Sequence, residues 1–315
     1  MCPTLNEDKN IENILKFFIN SVPEKKELFI VDGGSIDKTK DIVNRWKLVH
    51  NNIYLLDNPN RFVPFALNIG IKQSSGDPII RLDAHTEYDQ NYIIHILETF
   101  ENTHADIVGG AMHPVGKTIF QKAVAFATTN IFGIGGSKIH DINFSGYSDH
   151  VYLGAWKRNL FEEIGYFDIR FKRNQDDEFD YRANKQGKKV FLSSKIKSYY
   201  YPRKDILLLF KQYFQYGLYK PLVLKKIPSE IKFRHVVPSL FCLYLVLFFI
   251  FFFSKIILFV PLLFYIILDI LFSFINKEKH IIKFVLLLTY PVIHISYGLG
   301  FIFGFGYLRK KYIVK

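Results

Sequence analysis

Three apolar stretches in the last third of the chain constrain its fold more than any other feature. Twenty residues without a formal charge lie between Arg234 and Lys255, 21 residues over 256–276 carry Asp269 alone, and 25 uncharged residues fill 284–308. About 20 apolar residues of helix match the hydrocarbon thickness of a bilayer, so each stretch is long enough to cross one. A water-soluble helix containing FFIFFF (248–253) would carry aromatic rings on every face, which leaves lipid as the solvent for this region.

The charge distribution agrees. Of the net +12, residues 1–220 supply little (29 Lys/Arg against 26 Asp/Glu), whereas 221–315 hold 12 against 3. Basic flanks beside apolar runs point to an anionic membrane surface and not to nucleic acid. With the first part of the chain inside, three crossings keep Lys277 and Lys279 inside but leave Arg309, Lys310, Lys311 and Lys315 outside, against the positive-inside rule. The conflict points to a third stretch, interrupted by Pro291, Gly298, Gly300, Gly304 and Gly306, that re-enters or lies flat. Asp269 is expected to face the bundle or the interface. Cys2 and Cys242 are the only cysteines, so no disulfide is expected, and the opening MCPTLNEDKN lacks the basic and apolar regions of a leader peptide. The expected location is the inner membrane, multi-pass, with the first domain in the cytoplasm.

Before residue 115, β-branched runs alternate with amphipathic stretches. ELFIVD (27–32), NIYLLD (52–57), PIIRLD (78–83) and DIVGGA (106–111) read as strands; 37–50, 63–75 and 90–104 read as helices. Such alternation gives an α/β fold with a mixed, mostly parallel sheet, whose ligands bind beyond the carboxyl ends of the strands, where Asp32 and Asp83 fall. Further on, 118–132 and 157–165 read as helices, 133–148 as a loop, and KVFLSS (189–194) with SYYYP (198–202) as a closing strand pair. KDILLLFKQYFQYGLYK (204–220) reads as an aromatic helix in the membrane interface.

Three clusters carry chemistry. In Asp83-Ala84-His85, residues i and i+2 of an extended segment point the same way, so a carboxylate and an imidazole can meet one Mn²⁺ or Mg²⁺ together with a diphosphate, although on the triplet alone a helix cap is the better reading of Asp83. Asp32-Gly33-Gly34-Ser35 allows close approach of a ligand to backbone, with Asp32 accepting from a base N–H or a ribose hydroxyl; the alternative is a plain strand-to-helix turn. The run Asp176, Asp177, Glu178 and Asp180 offers general bases, with Asp176 and Asp180 on one helix face and Arg173 and Arg182 near enough to hold carboxylates ionised, or else is a solvated charged face. GIGGSK (133–138) follows no strand and receives no nucleotide role.

Their order is more specific than any one cluster. Pro3-Thr4-Leu5-Asn6-Glu7, DGGSIDKT (32–39), ALNIGIKQSSGDPIIRLDAH (66–85), GYFD (165–168) and QDDEFDYR (175–182) together resemble glycosyltransferase family 2, inverting enzymes with a GT-A fold, over about 3–220. ADIVGGAM (105–112), D-x-H in place of D-x-D, YYPR (200–203), QYFQYGLYK (212–220) and YGLGF (297–301) bring it nearest to the succinoglycan-biosynthesis type of membrane glycosyltransferase. The resemblance implies that Pro3, Thr4, Asn6 and Glu7 line a nucleotide pocket, that Asp32 contacts uridine, that Asp83 and His85 sit at a divalent cation and the donor diphosphate, and that Asp176 is the catalytic base, with Asp177 as the fallback. It implies a UDP-hexose donor and a lipid-linked saccharide acceptor in surface-glycan synthesis. Gln175 stands where the family usually has Glu, and only Met1 and Cys2 precede Pro3, so the first strand is expected to be truncated.

The expected organisation is a GT-A domain over 1–203, an interfacial helix and basic linker over 204–234, a membrane region over 235–308 and a basic tail over 309–315. A polyprenyl-phosphate sugar synthase, or a non-catalytic or truncated membrane homologue, remains as an alternative. A processive polysaccharide synthase is disfavoured, because Gln212 is followed by Tyr213-Phe214-Gln215-Tyr216 and not by a Q-x-x-R-W signature.

Overall fold

The computed structural model describes residues 1–251, 256–276 and 278–312, in two units: Met1–His113 with Lys138–Tyr200, and Pro114–Ser137 with the chain from Tyr201 onward. Lys255, Lys277 and Lys315 lie outside the described residues, as do the side chains of Arg309, Lys310 and Lys311.

The first unit opens with β1 (Cys2–Thr4), α1 (Ile11–Asn20), β2 (Leu28–Asp32), α2 (Thr39–Lys47) and β3 (Ile53–Asp57). The strands form a parallel sheet in the order β1-β2-β3, with Thr4 opposite Asp32 and Asp32 opposite Asp57. The opening strand is short but fully paired. In α1, Ile11, Ile14, Leu15 and Phe18 are buried at helical spacing, which fixes this helix on the sheet face.

After α3 (Val63–Gln73), β4 (Ile79–Ile80), β5 (Thr86–Tyr88), α4 (Tyr92–Asn102), β6 (Ile107–Gly110) and β7 (Met112–Pro114), the chain leaves this unit for α5 (Ile119–Thr129) and α6 (Ile131–Ile134). It returns as β8 (Gly146–Tyr147), β9 (Tyr152–Trp156), α7 (Leu160–Glu163), α8 (Gln175–Lys185), β10 (Val190–Leu192) and β11 (Ser198–Tyr200). A mixed sheet runs β4-β9-β6-β10-β8, parallel between β6 and β10 and antiparallel at its other ladders; a third sheet runs β5-β11-β7. Two expectations are corrected. PIIRLD keeps ladder pairing only at Ile79 and Ile80, because Leu82 N–H turns to the Met1 carbonyl at 2.7 Å. The segments 189–194 and 198–202 do not pair with each other: a turn closed by Ile196 N–H on the Ser193 carbonyl (3.2 Å) carries the chain from β10 in one sheet to β11 in another.

In the second unit, α5 starts at a capping box between Thr118 and Gln121 and buries Ala123, Val124 and Ala127 against Leu209, Ile282, Leu286 and Tyr290. That packing groups Pro114–Ser137 with the later helices α9 (Ile206–Lys226), α10 (Phe233–Ile250), α11 (Phe259–Phe274) and α12 (His280–Tyr312). Three apolar helical segments, Phe233–Ile250, Ile256–Phe274 and His280–Gly306, are long enough to cross a membrane. The third was expected to be broken, yet α12 is one continuous helix through Pro291. Its glycines serve close packing instead: a Cβ on Gly300 would lie 2.1 Å from the Phe214 carbonyl oxygen, and one on Gly217 of α9 would lie 2.1 Å from that of Tyr297. Small residues that let backbones touch are a standard means of joining helices in lipid.

Candidate active site

The parallel sheet brings the first motif and the DGGS turn to one edge. Asp32 ends β2 with its side chain fully buried, and Oδ1 accepts from Gly34 N–H (3.0 Å) and Ser35 N–H (2.8 Å), while Oδ2 accepts from Ser35 Oγ (2.5 Å). Gly34 has φ +85°, a conformation in which a Cβ would be strained, so the turn needs glycine. Pro3 lies in β1 opposite Val31, and the Thr4 carbonyl accepts Gly33 N–H at 2.8 Å. Asn6, at φ +56°, accepts Ile36 N–H (2.9 Å) on Oδ1 and donates its own N–H to Ser35 Oγ (2.8 Å). Glu7 N–H donates to Thr39 Oγ1 (2.8 Å). The segment 3–7 is therefore locked onto the turn after β2 by backbone and side-chain bonds together.

From there contacts, with one short backbone step between His85 and Asp83, lead to the acidic helix. Glu7 Oε1 lies 3.2 Å from His85 Nδ1. Two residues before His85, Asp83 accepts Arg81 Nε on Oδ1 (2.9 Å) and Arg81 Nη2 on Oδ2 (3.1 Å). Arg81 is only 6% exposed, and its third nitrogen, Nη1, donates to Asp176 Oδ2 at the start of α8. One buried guanidinium thus joins carboxylates 93 positions apart in sequence, which spacing alone does not show. Arg81 is the residue that the sequence reading missed; the available signal was an arginine two positions before Asp83 on an extended segment, hence on the same face.

The surroundings set the two carboxylates apart. Burial raises the Asp83 pKa, but Arg81 outweighs it, helped by His85 and Arg173, and the net position is below the usual range. Burial also raises Asp176; Arg81 opposes this, Asp83 and Asp177 add to it, and the net position is above the usual range. Asp176 Oδ1 and Thr4 Oγ1 are buried with no hydrogen-bond partner among the described residues.

The remaining acids of the run have other duties. Asp177 Oδ1 lies 3.9 Å from His150 Nε2. Asp180 is fully buried, accepting Val151 N–H (3.1 Å) and Trp156 Nε1 (3.4 Å), and burial pushes its carboxyl well above the usual range. Arg182 pairs with Glu178 (2.8 Å), a carboxylate of the run, as its spacing suggested, and donates to the carbonyls of Ile164, Gly165 and Tyr166, which ties α8 to the GYFD turn. That turn is held from the other side by Asn68, whose amide exchanges two bonds with the Phe167 backbone (2.8 and 3.0 Å).

Among the described residues no group of three or more His, Cys, Asp or Glu side chains surrounds one point as a metal cage would. An ionised Asp83 still has lone pairs beyond the two facing Arg81, and the Glu7 carboxylate beside His85 Nδ1 can fix the tautomer with Nε2 as the electron-pair donor. Hard oxygen plus one imidazole suits a divalent cation whose other ligands come from a diphosphate and water.

The parallel opening sheet, the mixed sheet beside it and acids at strand ends define a GT-A sugar-transferase fold. The family model "Glycosyl transferase family 2" matches residues 1–165, and the chain belongs to that family. Its relatives include the succinoglycan biosynthesis protein ExoA of Rhizobium meliloti, 36% identical over 218 residues, a match spanning 68% of this chain and 66% of that protein's length. A Methanococcus voltae transferase acting on dolichyl N-acetylglucosaminyl phosphate is 30% identical over 71% of this chain and 73% of its own. Among solved structures, the Pyrobaculum calidifontis mannosyltransferase PcManGT, in complex with GDP-Man and Mn²⁺, overlays with a TM-score of 0.67 at 16% identity, covering 96% of this chain and 85% of that one. S. aureus TarS residues 1–349 with UDP-GlcNAc overlay at 0.51 and 15% identity, covering 99% and 91%. At these identities the overlays speak for the fold.

Proposed function

We propose that the protein is a membrane-associated, inverting glycosyltransferase that moves a hexose from UDP to a lipid-linked saccharide in surface-glycan synthesis. The observation that carries this reading is the run from the Asp32 turn through Glu7 to His85, two residues back along the chain to Asp83, and through Arg81 to Asp176. Pro3, Thr4, Asn6, Glu7 and Asp32 form the nucleotide side of the site, and the buried Thr4 hydroxyl is one polar atom left for a ligand. Asp83 and His85 would hold a divalent cation, which when bound supplies positive charge to the departing diphosphate. Asp176, anchored by Arg81 and with a raised pKa, takes the proton of the acceptor hydroxyl as that oxygen attacks the anomeric carbon from the face opposite the nucleotide. The bond to the diphosphate breaks as the new glycosidic bond forms, with one inversion and no covalent enzyme intermediate. The contact with Arg81 favours Asp176 over Asp177 as the base. A lipid-linked acceptor and multi-pass anchoring, with the catalytic unit in the cytoplasm, are supported by the three apolar helices and by Lys225, Lys226, Lys232 and Arg234 beside them.

Mass spectrometry of lipid-linked oligosaccharides from cells with and without the gene tests this reading. The expected result is an intermediate one hexose short in the deletion strain, with an anomeric configuration in the completed glycan opposite to that of the donor. An unchanged lipid-linked pool would refute it.

A further inference from the structure

The buried guanidinium of Arg81 exceeds what folding alone requires at this place. A buried ion pair is weak evidence for stability, since desolvation offsets its attraction. Here a single cation, 6% exposed, makes a two-pronged contact with Asp83 and spends its remaining nitrogen on Asp176, from a different sheet edge and a different helix. The Asp176 carboxylate is asymmetric as a result. Oδ2 faces Arg81 and also receives Gln175 Nε2 at 3.4 Å, whereas Oδ1 is buried without a hydrogen-bond partner among the described residues. A carboxylate held by one oxygen has its other oxygen fixed in direction.

We infer that Arg81 is a positioning residue that anchors Asp176 through Oδ2 and so fixes the carboxylate that receives the acceptor's proton. This deepens the reading of Asp176 as base and rests on it. Gln175 Nε2 lies 3.4 Å from the same oxygen, so a carboxylate at that position would set a like charge against Oδ2. Arg81 itself touches neither donor nor acceptor in this role. Lysine cannot replace it, because an ammonium is a point charge that cannot span two carboxylates in the guanidinium's planar fork.

The test is a double-mutant cycle on the full chain in detergent, with Arg81→Lys, Asp176→Asn and the double variant assayed for hexose transfer from UDP-hexose to a membrane lipid extract. The expected result is a kcat at least ~100-fold lower for Arg81→Lys with the donor KM changed by less than about threefold, and less than about a twofold further loss when it is added to Asp176→Asn. Losses that multiply, or a raised donor KM at unchanged kcat, would overturn the inference. Should Arg81→Lys fail to fold, Gln175→Glu provides the second arm. With Arg81, Asp83 and Asp177 as the charges around Asp176, the added carboxylate should move the acid limb of kcat to higher pH, and an unmoved limb would overturn it. An active wild type with an inactive Asp176→Asn isolates a failure of the Arg81 role; a fully active Asp176→Asn removes the base assignment itself, and the inference with it.

Discussion

At the residue scale, the proposed site holds two aspartates that one environment pushes in opposite directions. Asp83 stays ionised at neutral pH because Arg81 overcomes the cost of its burial, whereas Asp176, with less help, titrates above an ordinary aspartate. A base must be deprotonated to work, so activity should rise with pH through the Asp176 pKa. The acid limb of kcat is therefore expected above the ordinary aspartate value of about 3.9, and a limb at or below that value would contradict the assignment. Glu7 is expected to act on the metal through His85: Glu7→Gln should weaken Mn²⁺ affinity by about 10–100-fold, read by titration of the metal at fixed UDP. An unchanged affinity would detach Glu7 from the metal. Asp32, Asp83, His85 and Asp176 are legible as candidates because each stands in a short motif. Arg81 escapes such a reading because Asp176 lies in another element, whereas Arg182 is legible because helical spacing sets it four residues from Glu178.

At the element scale, β2, β6 and α4 follow from periodicity because each of these strands buries one apolar run and the helix one stripe. The exchange between β10 and β11 does not, since both are three-residue strands and only the turn between them decides which sheet each joins. In α12, Pro291 and the glycines look like breaks in sequence, yet packing on α9 holds the helix together and uses the glycines as contact points. Gly300 and Gly306 make a matched pair for testing this, because a Cβ on Gly306 meets nothing within 4 Å. Gly300→Leu should destabilise the helix pair by about 1–3 kcal/mol or more, seen as a lower midpoint of thermal unfolding in detergent, while Gly306→Leu should leave that midpoint in place. Equal midpoints would contradict the packing role.

At the scale of the whole molecule, α9 and α12 run side by side in the same direction: Phe214 and Leu218 face Gly300, and Leu218 and Pro221 face Gly304. Helix α9 carries Lys211 and Lys220 within its length and falls outside the three candidate spans. With α9 in the membrane interface, as read from its sequence, a helix aligned with it shares its depth, so the part of α12 around 297–304 should lie along the cytoplasmic interface beside α9, leaving α10 and α11 as the crossing pair. This reconciles the basic residues Arg309, Lys310 and Lys311 with the positive-inside rule. A reporter fused after Lys315 is then expected on the cytoplasmic side, fluorescent as green fluorescent protein and inactive as alkaline phosphatase; an active phosphatase would show a third crossing.

Sugar transfer to a lipid-linked acceptor with Asp176 as base predicts that labelled lipid is lost when that carboxylate is removed. Membranes carrying the wild-type chain or Asp176→Asn, supplied with radiolabelled UDP-hexose and Mn²⁺, test both parts in a single extraction into organic solvent. The wild type should carry label into the lipid phase while the variant falls by about 10²–10⁴-fold. Equal labelling by the two proteins, or no label in the wild type with any UDP-hexose, would contradict the account.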